Sequence, residues 1–402
     1  MRPMTESRVT VAFSDLSQGK WTAGGQYLWN LFLALRRTGA CSQLELVLLQ
    51  APGAGSGSSR LHSLVDRVID APAAPKAPGA WRRRARGVLR RLRIDPQEEH
   101  QLGTHLRHQG VDVLFSNMQF GDRFPIPLLS WIPDFQHVHL PHLFSEQERQ
   151  VRDHEFRKIA DHATRVVVSS HDALGDLTQF CPSVEQKARV LRFVAQFSSE
   201  AFELDPKSIC DQYHLPERFI YLPNQFWKHK NHSVVLRALC TLKASHSDCV
   251  VVCTGNTNDY RDPLFFGELL ADVHRLGLRK SFLVLGILPH DHLLPLIRQS
   301  LAVLQPSRFE GWSTTVEEVK TVGKPIILSD LPVHREQNPP DALYFAPDDA
   351  ELLAQHLKTV FDTGCPGQDR VLEQRAEESL ARRVEELSAG FLKLSAEAAG
   401  SL

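Results

Sequence analysis

"LAVLQPSRFEGWSTTVEEVKTVGKPIILSD" (residues 301–330) decides the reading of the fold. "LAVLQPS" is an apolar run that reads as a buried strand. "TTVEEVKTV" spaces its apolar residues for a helix, and "KPIILSD" is a second apolar run. Strand, loop, helix and strand in that order form a unit of a parallel sheet covered on both faces. Loops at the carboxyl ends of such strands are where open parallel sheets bind ligands. The loop here is "RFEGWS", and the helix start offers backbone N–H groups from Gly311 through Thr314. Gly311 lets a ligand come close to the backbone. Glu310 lies before the helix and Glu318 within it, so they cannot form one carboxylate pair. They suit a long ligand gripped at separate hydroxyls, such as ribose at one end and a hexose at the other. A capping box, Thr314 with Glu317 or Thr315 with Glu318, is the purely structural alternative. It accounts for one glutamate and leaves Glu310, Gly311 and Trp312 unexplained.

The same alternation extends outward in both directions. Towards the N-terminus "RVTVAFS", "LELVLL", "VDVLFS", "PLLSWIP" and "TRVVVSS" read as strands, with helical stretches at 25–38 and 146–163. After Pro206 the rhythm restarts with "RFIYLP", "CVVVCTG", "SFLVLG" and "LAVLQPS", then "KPIILSD" and "ALYFAP". Helices are expected at 231–244, 264–276, 291–299 and 349–361. Two series predict two doubly wound α/β domains. The expected division is 1–203, 204–366 and a terminal helical stretch, 367–402, that leaves the second domain and packs back on the first.

A chain of 402 residues with 42% hydrophobic content can fill two such cores. Lys+Arg 46 against Asp+Glu 47 argues against a globally basic nucleic-acid binder. No apolar run is long enough to span a membrane. The scattered cysteines read as reduced thiols, which predicts a cytoplasmic protein. One segment departs from this balance. "WRRRARGVLRRLRI" (residues 81–94) holds seven arginines and no acid. It reads either as a solvated basic loop or as an amphipathic stretch on an anionic membrane surface. No Gly-x-Gly-x-x-Gly follows the first strand, which argues against a nicotinamide dehydrogenase.

"PSRFEGWSTTVEEVKTVGKPIILSDLPVHRE" resembles the signature region of the retaining GT-B glycosyltransferases of family 4, of the bacterial surface-polysaccharide type. That family has two glutamates with seven residues between them, then Gly-Lys-Pro-Ile before a strand. "YLPNQFWKHKNH" (residues 221–232) is similar to its phosphate loop, and "AGGQYLWNLFLAL" (residues 23–35) to its first-domain glycine loop and helix. "SWIPDFQHVHLPHLFS" and "VVVSSHDAL" fit as well. The resemblance implies two Rossmann-like domains facing a cleft. It implies a hexose moved with retention from a nucleotide-diphosphate sugar to a glycan, lipid-linked or small-molecule hydroxyl.

By that resemblance Glu310 contacts the donor sugar, Glu318 holds the donor ribose and Lys230 meets the diphosphate. The amides of Gly311, Trp312 and Ser313, with Thr314, line the same donor. Gly24 and Gly25 let a first-domain loop approach it. Many relatives carry an arginine where this chain has Asn224 or Gln225, and these two residues are taken as donor-side. Pro133-Asp134 stands where relatives have His-Asp, so Asp134, His137 or His139 take the acceptor-side role, with Asp134 counted among the catalytic residues. On an extended stretch His137 and His139 would share a face. With His142 they also raise zinc, but no cysteine or fourth ligand is near and no metal is expected. No cofactor is implied, the nucleotide sugar being a co-substrate. A cytoplasmic enzyme of polysaccharide biosynthesis, peripheral on the inner leaflet, follows from the resemblance and the arginine segment together. A nucleotide-sugar epimerase or hydrolase, or a non-catalytic sugar-binding relative, remains open at this point.

Overall fold

The structure, a computed structural model, describes residues 8–16, 22–52, 60–72 and 96–400. The arginine-rich segment 81–94 lies outside them. The chain divides into two compact units. One comprises residues 1–193 with 383–402, the other residues 194–382.

The first unit is built on a seven-stranded sheet, β1 (Val9–Ser14), β2 (Leu44–Gln50), β3 (Arg67–Asp70), β4 (Val113–Ser116), β5 (Leu128–Trp131), β6 (Arg165–Val168) and β7 (Ala188–Val190). Its order is β3-β2-β1-β4-β5-β6-β7, and every pairing is parallel. Successive residues of a strand face opposite sides. Ala12 and Leu114 therefore join one core with Phe120, Phe135 and Phe156. Phe13 and Phe115 meet Phe391 of the terminal helix on the other face, at centroid distances of 5.5 and 6.0 Å.

The second unit carries six parallel strands, β8 (Ile220–Pro223), β9 (Val251–Thr254), β10 (Phe282–Gly286), β11 (Val303–Gln305), β12 (Ile326–Ser329) and β13 (Leu343–Phe345), in the order β10-β9-β8-β11-β12-β13. Helices cover both faces. His232–Leu242 and Ala350–Thr363 lie over one core, and Leu293–Gln299 and Thr314–Lys320 over the other. The fold is thus α/β with two doubly wound parallel sheets.

The break between units falls at 193/194 rather than 203/204. Phe197 and Ala201, the latter in the short helix Ser199–Glu203, are buried with Phe219, Tyr221 and Val252 of the second unit. The last helix, Arg370–Ala399, starts in the second unit. From residue 383 it belongs to the first, where Glu397 pairs with Arg165 and Arg189.

Candidate functional site

Strand order places the two motifs. β8 and β11 are adjacent where the order of the second sheet reverses, so the loops leaving them, 224–231 and 306–313, rise side by side at the switch point. Lys230 Nζ from the first loop stands 2.6 Å from Glu310 Oε1 of the second. Both side chains are largely buried, 15% and 10% exposed. Two residues expected to meet different parts of a ligand are each other's partners.

The local fold explains why they can be held there. Lys228–Lys230 form one tight turn that ends at Asn231, whose φ of 59° is left-handed, a conformation asparagine tolerates. Asn231 Nδ2 donates to the carbonyls of Pro306 (3.0 Å) and Pro347 (2.7 Å). The Arg308 amide donates to the His229 carbonyl at 2.8 Å. His229 itself is buried, and burial, then the charges of Lys230 and Arg261, hold it well below the ordinary imidazole range. Its Nδ1 accepts from Arg261 at 3.2 Å. Arg261 in turn pairs with Asp259, whose other oxygen accepts from the Lys228 amide. The loop after β9 thus braces the lysine turn from outside. Gly255 permits this approach. Its φ is +138°, and a Cβ there would lie 2.3 Å from the Asn224 carbonyl oxygen.

A second network lies beneath. Gln305, at the end of β11, donates through Nε2 to Glu310 Oε1 (3.0 Å) and Ser313 Oγ (2.8 Å), while its oxygen accepts from Asn224 Nδ2. Gln337, from the helix Pro332–Gln337, accepts from the Ser313 amide (3.1 Å) and donates to the Ser313 carbonyl (2.9 Å) and to Glu317 (3.1 Å). The helix start is therefore capped by Ser313, whose hydroxyl accepts from the Val316 amide. Neither expected capping box forms. Glu317 turns instead to Lys320 and Gln337. The Ser313 amide, expected to face a ligand, is already engaged.

Glu318 is 7% exposed, and burial pushes its carboxyl up to about 8. Tyr221, below it on β8, spends its hydroxyl on Thr254 at 2.7 Å. Trp312 is buried, while Gly311, Thr314 and Gln225 are half-buried. His334 lies near Glu310 and Lys230, its Nδ1 on the Ser329 carbonyl at 2.8 Å and its Nε2 buried without a partner.

The first unit holds the rest. Gly24 and Gly25 are not in a loop but within the helix Thr22–Arg37. Asp134 Oδ1 accepts from the Gln136 amide at 3.0 Å. Gln136–His139 is one helical turn, not an extended stretch, and so His137 and His139 point apart. His137 is buried against Phe135, Phe144, Phe156 and Phe180, with Nε2 3.1 Å from Asp153. His139 is exposed and meets Asp176 at 2.8 Å. Among the described residues no group of three or more His, Cys, Asp or Glu side chains is gathered as a metal site. Asn231, Gln305, Gln337 and Arg261 escaped the sequence reading. Asn231, within the lysine motif, and Gln305, at the end of the strand before the glutamate loop, stood where such a reading looks.

Residues 213–379 match the family model described as glycosyl transferases group 1. No curated protein matches the sequence significantly. Among solved structures, HepE of Anabaena in complex with UDP and glucose is similar at a TM-score of 0.65 and 15% identity, over 98% of this chain and 100% of that one. A glycosyltransferase from Rickettsia africae gives 0.62 and 16%, over 96% of each chain. Sucrose-phosphate synthase from Thermosynechococcus elongatus gives 0.62 and 16%, over 94% and 95%. The shared fold is GT-B, with two Rossmann-like units. No helix among the described residues is long and apolar enough to cross a membrane.

Proposed function

We propose that the protein is a retaining glycosyltransferase that moves a hexose from a nucleoside-diphosphate sugar to a hydroxyl of a glycan, lipid-linked or small-molecule acceptor. The observation that carries this reading is the buried Lys230–Glu310 pair at the switch point, with the buried carboxyl of Glu318 on the helix behind it. A cation, and two acids set apart, match the three parts of such a donor. Lys230 offsets charge on the leaving diphosphate, Glu310 accepts from sugar hydroxyls and Glu318 accepts from the ribose. The match of this unit to the glycosyl transferases group 1 model, and the UDP and glucose held by the similar HepE, support the same donor chemistry.

In the step itself the acceptor oxygen bonds to the anomeric carbon from the face that the nucleotide leaves. The bond from that carbon to the phosphate oxygen breaks, and the departing phosphate oxygen takes the acceptor's proton. No separate strong base is needed. We assign the acceptor to the first unit, with Asp134 on its side. Lys230 supplies the positive charge that the leaving group requires, so transfer proceeds without a divalent metal. Activity should survive EDTA, and complete loss restored by magnesium would overturn this part of the reading. The seven arginines of residues 81–94 hold the protein to anionic lipid. It should sediment with anionic liposomes at low salt and release at high salt.

The deciding experiment is a thermal-shift screen of the purified protein against UDP- and GDP-sugars, followed by nucleoside diphosphate release with the best binder. Binding raises the melting temperature according to ligand concentration over Kd. Melting unchanged across the panel, with no turnover, would sink the proposal.

A further inference from the structure

Gln305 carries no charge and belongs to no motif, yet its side chain bonds Asn224, Glu310 and Ser313 of the site. It is 1% exposed at the end of β11. A carboxylate only accepts, so the amide nitrogen must face Glu310. That leaves the amide oxygen for Asn224, and both ends of the amide are satisfied. The consequence for Glu310 is specific. Its Oε1 takes both donors, Lys230 Nζ at 2.6 Å and Gln305 Nε2 at 3.0 Å. No described residue donates to Oε2. The terminal torsion of a glutamate is broad and roughly two-fold, so nothing intrinsic selects one carboxylate orientation. Two donors converging on one oxygen do select it. The second amide hydrogen, on Ser313 Oγ at 2.8 Å, fixes Gln305 to the cap of the next helix.

We infer that Gln305 is a positioning residue for Glu310: with Lys230 it pins one carboxylate oxygen and leaves the other presented to the sugar of the donor. This rests on the glycosyl-transfer reading above. Orientation paid for during folding need not be found again at the transition state, which is where preorganised polar groups act. Loss of Gln305 should therefore lower the rate constant rather than donor affinity.

The test uses the full chain with UDP-glucose, UDP-galactose and GDP-mannose as probes and reads nucleoside diphosphate release. Gln305→Met keeps the volume and removes both hydrogen-bonding ends. With the best probe we expect kcat to fall about 10–100-fold while KM stays within about threefold. The double variant Gln305→Met/Glu310→Gln should be no slower than Glu310→Gln alone, because the two residues act as one unit. Gln305→Glu keeps the shape and serves if the methionine variant does not fold. Its introduced carboxyl lacks a donor when ionised and regains one O–H when protonated. Its activity relative to wild type should therefore climb as pH is lowered. Wild-type kcat in Gln305→Met, additive losses in the double variant, or a pH-independent ratio for Gln305→Glu would each overturn the inference while leaving the transferase reading intact. No turnover by wild type with any probe would overturn that reading, and this inference with it.

Discussion

Each sheet has one place where its strand order reverses, and the two places are joined differently. Between β1 and β4 the strand ends are linked by hydroxyls. Ser14 donates to Ser116 at 2.9 Å, and the Met118 amide donates to the same Ser116 oxygen. Between β8 and β11 the link is an ion pair, Lys230–Glu310, resting on the amides of Gln305 and Asn224. A serine pair costs little to bury. A largely buried ion pair gives back little stability for its desolvation and is strongly destabilising when one partner is lost. The same topology thus carries a cheap closure in one unit and a costly one in the other. The costly one is where the proposed function puts charge to use.

The largest expected effect lies at Glu310. Glu310→Gln should lower turnover roughly 100–1000-fold and lower the melting temperature less than Glu310→Ala, because its amide oxygen can still accept from Lys230. Glutamine is the right substitution because alanine would strand Lys230, at about 3–5 kcal/mol. Turnover within a few-fold of wild type would remove the functional contrast between the two switch points. Next comes Lys230→Met, which should weaken nucleoside diphosphate binding about 10–100-fold and leave free nucleoside binding unchanged. Equal losses measured by calorimetry would detach Lys230 from the phosphates.

Glu318 offers a smaller, pH-dependent effect. Burial raises its carboxyl from 4.5 to about 8. The folded protein then keeps a proton that the unfolded chain releases, so stability from this group is full below about 4.5 and declines as pH rises towards 8. The melting temperature of wild type should fall relative to Glu318→Gln across that window. Parallel curves would show an ionised Glu318 throughout. The smallest effect is reserved for the first unit, where Ser14→Ala should cost about 1 kcal/mol or less and leave donor binding untouched. A donor affinity that moved with Ser14 would blur the division of labour.

The strands were legible because both faces of each sheet are buried and the runs are apolar. β3 and β7 were not. β3 alternates half-buried and exposed residues at the sheet edge, and β7 has three residues. Lys230 and Glu310 were singled out one at a time, Lys230 by the family resemblance of its loop and Glu310 by its place before the helix together with that resemblance. Their contact was not, because it depends on β11 lying beside β8, with β9 and β10 on the other side of β8. Spacing also misplaced the helix cap, since Gln337 from a distant helix selects Ser313 over the threonines. His137 and His139 fooled the extended reading through one short turn that buries one ring among phenylalanines and leaves the other at the surface.

The path of the last helix has a consequence for how the protein is made. The first unit needs residues 383–400: Phe391 packs on Phe13 and Phe115, Ser388 accepts from Thr38, and Glu397 joins Arg165 and Arg189. Those residues are synthesised only after residues 194–382. The unit begun first on the ribosome is therefore completed last, after residues 194–382 have all emerged and can close their own sheet. A ribosome that stops after residue 382 would release a complete second unit joined to an open first one, with the contacts of Phe391 to Phe13 and Phe115 unmade.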